Sequence, residues 1–184
     1  MKRLLSIIVI LFFATSVFGQ DPEEPDLRTV VMNKKSGYIN INELTYAYGL
    51  GSTDVEYSKQ HYGILTMHGY KLIISRIKCQ PSLAGGLGAG ILFYNEGPLF
   101  PIFLDARLIL TDRKVSPFLY GNGGLLLSPS DIKEKSKLLA GAGAGLRIKL
   151  NGSLSLVAGP GLLVQWNRDN TRDSFVNVRM GLAF

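Results

Sequence analysis

The chain has 184 residues, of which 46% are hydrophobic and 18% charged, and this balance excludes a disordered tail. Its single Cys excludes an intrachain disulfide framework and a zinc site built from several cysteines. The net charge of +6 is dispersed, with no run rich in Lys and Arg, so it does not indicate a nucleic-acid partner.

Residues 1–19 have the pattern of a secretory signal peptide. Lys2 and Arg3 form a positive start, and Leu4–Phe13 is almost wholly apolar. We expect this segment to be cleaved after export through the inner membrane, because an uncleaved anchor helix would need a longer apolar run. Residues 20–35 carry acidic and then basic side chains and are expected to form an irregular periplasmic segment.

Two long uncharged windows, Cys79–Tyr94 and Leu150–Trp166, resemble membrane helices only in hydropathy. Both contain several glycines, and the second also contains Pro160. An interior Gly costs a helix about 1 kcal/mol and Pro about 3 kcal/mol, so neither window is a membrane helix. The residues alternate instead with the two-residue period of a β-strand. Over residues 138–150, for example, one set of alternate positions is wholly Leu, Ala and Ile.

The opposite set of positions in these segments is rich in Gly. A soluble sandwich packs large side chains of two sheets together, so a face crowded with Gly does not suit it. The narrow interior of a small closed barrel needs small residues between large ones, and a continuous apolar face suits lipid. We therefore predict an all-β fold over residues 36–184, an eight-stranded antiparallel up-and-down transmembrane β-barrel. The predicted strands are Tyr38–Leu50, Gly63–Leu72, Ser82–Phe93, Pro101–Leu110, Ser116–Leu126, Leu138–Leu150, Ser153–Trp166 and Phe175–Phe184.

The predicted connections alternate between short periplasmic turns and longer outer loops, which is typical of bacterial outer-membrane barrels. Asn151-Gly152 is a favoured two-residue hairpin pair and is expected on the periplasmic side. The longer outer loops are expected at Gly51–Tyr62, Leu127–Lys137 and Asn167–Ser174. Pro160 has no backbone N–H to donate, so we expect a bulge or a local break in the ladder there.

Six charged residues fall on the predicted inward face of the strands. Buried charges persist only when they are paired, so the favoured interpretation is a structural network that fills the lumen. A second hypothesis is a narrow pore or small-anion site lined by Arg107, Arg147 and Arg179, although eight strands enclose little free space. The six residues are Glu43, Asp105, Arg107, Arg147, Lys149 and Arg179.

The two histidines, His61 and His68, are the candidate bases for an enzyme. Covalent catalysis needs a nucleophile beside a base that a third group orients, and neither histidine has such partners at a supportive spacing. We expect His61 to be a solvated residue of the first outer loop and His68 to be hydrogen-bonded in the lumen. We predict no catalytic residue, no metal ligand and no cofactor-binding residue. Cys79 is expected to be an unpaired thiol, with an intermolecular disulfide as the alternative.

Six aromatic residues lie toward the predicted strand ends or on the outward face. Rings at these positions are typical of the girdles at the two membrane interfaces. Without a basic, water-facing groove, they do not indicate a stacking surface for nucleic acid. The six residues are Tyr46, Tyr48, Phe93, Phe100, Trp166 and Phe184.

The signal peptide, the strands interleaved with Gly, and the segments Pro101–Arg107, Val115–Phe118 and Val178–Phe184 form a combined pattern. The pattern resembles small eight-stranded outer-membrane β-barrels of Gram-negative bacteria, the OmpA/OmpX-like class with an outer-membrane protein β-barrel domain. The resemblance covers about residues 36–184. It implies residence in the cell outer membrane, surrounded by membrane lipid and lipopolysaccharide. It also implies that Phe184 is the signal that the barrel-assembly machinery recognises.

The resemblance implies no single activity, because such barrels include adhesins, lipid-modifying enzymes and structural proteins. We expect a structural or surface-recognition role, with any extracellular ligand bound at the outer loops, and no nucleic-acid partner. Three rival hypotheses are the narrow pore, a lipid A-modifying enzyme and a soluble periplasmic barrel of lipocalin type. The last of these explains the alternation but not an apolar exterior.

Overall fold

A computed structural model describes residues 37–50, 59–74, 80–95, 97–129, 136–166 and 171–184. The expected signal peptide, the periplasmic segment and Cys79 lie outside the described residues. Within the described part of the chain, no helix is long and apolar enough to cross a membrane. The strands are β1 (Gly37–Gly49), β2 (Gln60–Ile73), β3 (Ser82–Tyr94), β4 (Gly97–Ile109), β5 (Val115–Leu127), β6 (Lys137–Asn151), β7 (Leu154–Trp166) and β8 (Arg172–Ala183).

The eight strands form one closed antiparallel barrel. Each strand pairs with the next along the chain, and β8 pairs with β1 to complete the ring. The predicted all-β, eight-stranded up-and-down topology is therefore confirmed. We call the end where β1 begins the turn end, and the opposite end, where β1 finishes, the loop end.

The two-residue alternation of the sequence separates the lumen from the exterior. In β4, Leu104 is 65% exposed, whereas its neighbours Phe103 and Asp105 are 5% and 3% exposed. Each of the eight strands carries exposed large hydrophobic side chains on its outward face. The prediction that the apolar sets of alternate residues face outward is confirmed.

The first predicted outer loop is shorter than expected at its C-terminal end. Its last residues belong to β2, where Gln60 pairs with Tyr48 and His61 pairs with Ala47. Gln60 is exposed at the strand end, whereas the next residue, His61, is buried in the lumen. The burial of His61 extends the strand into the segment predicted as loop. Residues 51–58, 130–135 and 167–170 of the three predicted outer loops lie outside the described part of the chain.

The β6–β7 hairpin turns one residue later than predicted. Asn151 is the last residue of β6 and pairs with Leu154, so the two-residue turn is Gly152-Ser153 rather than Asn151-Gly152. The register shifts between Lys149 and Asn151, and Gly152 has a φ of +51°. The irregularity adds one residue, and the left-handed conformation falls on Gly, which lacks a Cβ to clash.

The ladder at Pro160 is interrupted without a bulge. Pro160 keeps its pairing with Val178 on β8. On the β6 side, pairs are formed at Gly143 with Gly161 and at Leu146 with Ala158, in one continuous register, but not at the positions between them. The prediction of a bulge or a local ladder break is met by a break, because the missing N–H removes pairing without requiring an extra residue.

The lumen is filled in layers. An apolar cluster near the loop end consists of Ala47, Leu65, Leu92, Tyr94, Leu99, Phe103, Leu126, Leu139, Leu163 and Phe175. A second apolar cluster lies toward the turn end and consists of Ile39, Ile41, Met67, Ala84, Ile109, Phe118, Tyr120, Val157 and Ala183. The buried polar and charged side chains at strand positions between these clusters are Glu43, Thr45, Asp105, Arg107, Asn122, Asn177 and Arg179. Apolar side chains therefore flank the polar middle of the lumen on both sides.

Glycine makes room for the lumenal rings. Tyr120 pairs directly with Gly143, and Phe118 pairs with Gly145. A Cβ added to Gly143 would lie 2.6 Å from the Tyr120 ring, and one added to Gly145 would lie 2.6 Å from the Phe118 ring. These rings have room beside the neighbouring strand because that strand has no side chain at the paired position.

Candidate functional site

Four buried charged side chains meet in the middle of the lumen, and we call them the central ion network: Glu43 on β1, Asp105 and Arg107 on β4, and Arg179 on β8. Arg107 donates from Nη1 to Glu43 Oε1 at 2.7 Å and from Nη2 to Glu43 Oε2 at 2.8 Å. Its Nε donates to Asp105 Oδ1 at 2.8 Å. Arg179 Nη1 lies 3.9 Å from Glu43 Oε2. Two guanidiniums balance two carboxylates, as burial of charge requires.

Small residues on the neighbouring strands give the central ion network its space. Glu43 pairs with Gly181, and Asp105 pairs with Gly86. Arg179 pairs with Gly159 on β7, and this third Gly again leaves the lumenal side open. Long charged side chains therefore extend across the lumen instead of being pushed along the wall.

The other two predicted lumenal charges lie apart from the network. Arg147 is buried, and its Nε donates to Ser155 Oγ at 3.1 Å. Lys149 is half-buried nearer the turn end, where its Nζ donates to Asp112 Oδ1 at 2.6 Å. The structure therefore places all six predicted charges on the inward face but joins only four of them.

Tyr120 was not among the predicted site residues, yet it contacts both arginines of the network. The Cζ of Arg179 lies 4.7 Å from the centre of the Tyr120 ring, and that of Arg107 lies 5.8 Å from it. A cation held over an aromatic face is attracted by the ring quadrupole, most strongly away from water. The sequence signal was its inward position opposite Gly143, which only the pairing of β5 with β6 reveals.

A small cavity of about 20 Å³ lies beside the network toward the loop end. Polar atoms that have no hydrogen-bond partner among the described residues belong to several side chains of its wall: His61, Asn122, Gln165, Asn177 and Arg179. Amide oxygens and an imidazole nitrogen accept hydrogen bonds, whereas the amide and guanidinium N–H groups donate them. This mixed set suits water, and the volume is that of about one molecule.

The structure contradicts the prediction that His61 is a solvated loop residue. His61 is 1% exposed and lies inside β2, facing the lumen. Its ring stacks on Tyr94 with centroids 4.6 Å apart and meets the edge of Phe175 at 4.9 Å. The aromatic packing energy explains why a residue adjacent to a polar segment is buried.

His68 does not face the lumen as predicted. Its face is set by the pairing of β2 with β1, which places His68 opposite the outward Asn40. It belongs to a hydrogen-bonded group of outward polar side chains that we call the exterior polar cluster: Tyr38, Asn40, Asn42, Thr66 and His68. Asn40 and Thr66 are 2% and 6% exposed although both lie on the outward face.

The Thr66 hydroxyl lies at the centre of the hydrogen bonds of the exterior polar cluster. The Thr66 hydroxyl donates to Asn42 Oδ1 at 2.9 Å and accepts from Asn40 Nδ2 at 3.4 Å, and His68 Nε2 lies 3.3 Å from its oxygen. His68 Nδ1 is hydrogen-bonded to the Tyr38 hydroxyl, and both ring nitrogens lie 3.3 Å from Asn40 Nδ2. Because the Thr66 proton is directed to Asn42 and not to His68, this pair lacks the nucleophile and base arrangement of covalent catalysis.

The predicted girdle residues lie on the outward face of their strands. The exposed fraction is 49% for both Tyr46 and Tyr48, and 40% for Phe184. The exterior carries further exposed tyrosines near both barrel ends: Tyr38, Tyr62 and Tyr70.

Over the described residues, no group of three or more His, Cys, Asp and Glu side chains is placed to hold a metal ion.

The fold is similar to that of solved β-barrel structures. No family model and no curated protein matches the sequence, so the OmpA/OmpX-like assignment stays a prediction. The crystal structure of Neisserial surface protein A (NspA) matches with a TM-score of 0.57 and 15% identity, over 80% of this chain and 97% of that chain. The solution NMR structure of the de novo designed TMB2.3 matches with a TM-score of 0.38 and 16% identity, over 83% and 97%. The likeness to NspA supports the eight-stranded barrel fold.

Proposed function

We propose that this chain is an integral outer-membrane barrel with a closed lumen and a structural or surface-recognition role. The main support is the apolar exterior, since exposed large hydrophobic side chains occur on every strand. Monomeric soluble proteins rarely expose contiguous apolar patches of more than a few hundred Å². A closed barrel also satisfies its backbone hydrogen bonds internally, which lipid requires.

The proposed orientation places the turn end in the periplasm and the loop end outside the cell. Short connections on one side and longer ones on the other are the usual asymmetry of such barrels. The segments around residues 51–58, 130–135 and 167–170 would then carry any contact with an extracellular ligand. Phe184 would remain the element that the barrel-assembly machinery reads.

The closed lumen is supported by the layered packing. The central ion network spans from β1 to β4, and an apolar cluster lies on each side of it. The donors of Arg107 are directed to Glu43 and Asp105, which leaves little positive potential for a passing anion. Arg107, Arg147 and Arg179 do not converge on one opening, so we favour a side-chain-filled lumen over the pore.

Heat-modifiable gel migration of the membrane fraction tests the proposal. A folded barrel is expected to run as a compact form without boiling and to shift to its full apparent mass after boiling. A protein that stays in aqueous extract without detergent would support the soluble barrel instead. Deletion of the three loop segments, with the shift retained, is expected to abolish surface binding or colonisation; retained binding would contradict a recognition role.

The pore and the lipid A-modifying enzyme each have a separate test. A pore predicts conductance in planar bilayers that changes when Arg107 or Arg147 is replaced by Ala, and our proposal predicts silent bilayers. A lipid A-modifying enzyme predicts an altered lipid A mass spectrum that depends on His61 or His68. We expect the spectrum to be unchanged, because His61 is buried between two rings and the Thr66 hydroxyl beside His68 directs its proton to Asn42.

A further inference from the structure

The exterior polar cluster interrupts an otherwise apolar outward surface. Asn42 and Thr66 are paired across β1 and β2, as are Asn40 and His68. Leu44 and Ile64, on the loop-end side of these pairs, are exposed and apolar. The proposed membrane location puts these polar side chains against lipid, where unpaired polar groups cost several kcal/mol each.

The cluster satisfies most of its polar atoms internally. Asn42 Nδ2 donates to Asn40 Oδ1 at 2.5 Å, and Asn40 Nδ2 donates to the carbonyl of Met67 at 3.3 Å. Together with the Tyr38, His68 and Thr66 bonds, these contacts form one continuous chain from the surface to the backbone. The internal bonds make a polar cluster tolerable beside lipid.

Two sets of atoms remain directed outward, at different depths. At the turn end, the Tyr38 hydroxyl is hydrogen-bonded to His68 Nδ1, its oxygen keeps at least one free lone pair, and Tyr70 lies directly across on β2. Both rings are about half exposed, at 55% and 54%. Deeper in the barrel, the second N–H of Asn42 has no partner among the described residues and remains a donor.

The chemistry at the two depths complements one molecule. Lone pairs and aromatic faces attract an ammonium group, whereas an amide N–H donates to an ester carbonyl. Tyr38 and Asn42 are four residues apart, about 13 Å along a strand that tilts by roughly 40°. The resulting depth difference of about 10 Å is a few ångström more than the interfacial layer of a bilayer, roughly 5–8 Å per side, so Asn42 lies at the inner edge of that layer when Tyr38 lies at its outer edge.

We propose that the exterior polar cluster, with Tyr70, is a binding site for a phospholipid with a primary ammonium headgroup in the periplasmic leaflet. The ammonium lies against Tyr38 and Tyr70, and an ester carbonyl accepts from Asn42. This site rests on the proposed membrane location. A second copy of the chain is the rival occupant, and it is disfavoured. A twofold axis would place the Tyr38 oxygen opposite its own copy and the Asn42 N–H opposite its own copy, and neither pair is complementary.

Native mass spectrometry tests the site on the purified full protein released from nanodiscs that contain equal amounts of phosphatidylethanolamine and phosphatidylglycerol. We expect the wild type to retain phosphatidylethanolamine over phosphatidylglycerol by roughly fivefold, the gain of one cation–π contact. Tyr38→Leu is expected to bring this ratio close to one. Asn42→Leu is expected to lower retention of both lipids equally, because both carry ester carbonyls.

The matched control is Tyr48→Leu, which removes an outward ring of similar exposure from the loop end of the same strand. It is expected to keep the wild-type ratio. A ratio near one in the wild type, a preference that survives Tyr38→Leu, or a dimer lost with Tyr38→Leu would each overturn the site. Every variant is first checked for heat-modifiable migration: its absence in the wild type contradicts the membrane barrel, whereas a normal shift without lipid preference contradicts only this site.

Discussion

Arg107 forms a bidentate ion pair with Glu43 across the lumen, with N–O distances of 2.7 and 2.8 Å. The two residues lie on β4 and β1, which are not neighbours in the barrel. The pair therefore joins separate parts of the wall, and the same guanidinium also bonds Asp105. A planar guanidinium can bond both oxygens of one carboxylate and an oxygen of a second, whereas a lysine ammonium lacks this fork of donors.

Removing one partner of this pair is expected to destabilise the barrel strongly. Glu43→Gln leaves the central ion network with an unbalanced positive charge, and the expected loss in free energy of unfolding is about 3–5 kcal/mol. Arg107→Met leaves two carboxylates facing Arg179 and is expected to cost a similar amount. Urea titration of the compact gel form in detergent measures both.

The double variant Glu43→Leu/Arg107→Met tests whether the cost arises from the unpaired charge. It restores a neutral pair of Asp105 and Arg179, so its loss is expected to be smaller than the sum of the single losses. Lys149→Met is the control, since its ion pair with Asp112 is partly exposed and is expected to contribute less than about 1 kcal/mol. Additive single losses would contradict a coupled network.

Gly143→Ala is expected to displace the Tyr120 ring. The added Cβ would lie 2.6 Å from ring atoms and closer still to the carbonyl of Pro160. Overpacking of this kind costs about 1–3 kcal/mol, measured by the same urea titration. Gly37→Ala is the matched control, because nothing lies within 4 Å of its added Cβ; an equal loss in both variants would contradict the packing argument.

His61 provides a test of burial without a polar partner. Its ring contacts Tyr94 and Phe175, while its Nδ1 has no hydrogen-bond partner among the described residues. His61→Phe keeps the ring and removes the unpaired nitrogen, so the free energy of unfolding is expected to stay equal or rise. His61→Ala leaves a cavity and is expected to lose about 3 kcal/mol.

The comparison of the two His61 variants decides whether the ring shape alone or also its nitrogen stabilises the barrel. If His61→Phe were as damaging as His61→Ala, the imidazole nitrogen would have a polar role that its packing does not reveal. The temperature at which the compact gel band is lost provides a second measurement of the relative stability of the two variants. Either readout separates loss of shape from loss of a polar contact.

The sequence predicted the barrel because its alternation was unambiguous where one face was apolar and the other was Gly or charged. Asp105 and Arg107 were correctly placed in the lumen, since Leu104 and Leu108 beside them are plainly outward. The same alternation could not give distances across the lumen. The separation of Arg147 from the central ion network therefore emerged only from the closed structure.

His68 was assigned to the wrong face of β2 because both faces of this strand are mixed. Thr66 and His68 face outward, while the lumen at this level is filled by Leu65 and Met67, so composition does not distinguish the faces. The face is fixed by register with β1, where Asn42 pairs with Thr66. Register is a long-range property, and a shift of one residue reverses every side chain.

Tyr120 is expected to stabilise the arginines through its ring and not through its hydroxyl. The Arg179 guanidinium lies 4.7 Å from the ring centre, whereas the hydroxyl has no partner among the described residues. Tyr120→Phe keeps the ring and is expected to change the free energy of unfolding by less than about 1 kcal/mol. Tyr120→Leu removes the aromatic face from a desolvated cation, worth about 2 kcal/mol, and leaves space that adds a packing cost. Urea titration of the two variants, with Glu43→Gln alongside, ranks their losses in free energy of unfolding. A loss in Tyr120→Phe equal to that in Tyr120→Leu would show that the hydroxyl, and not the ring, supports the network.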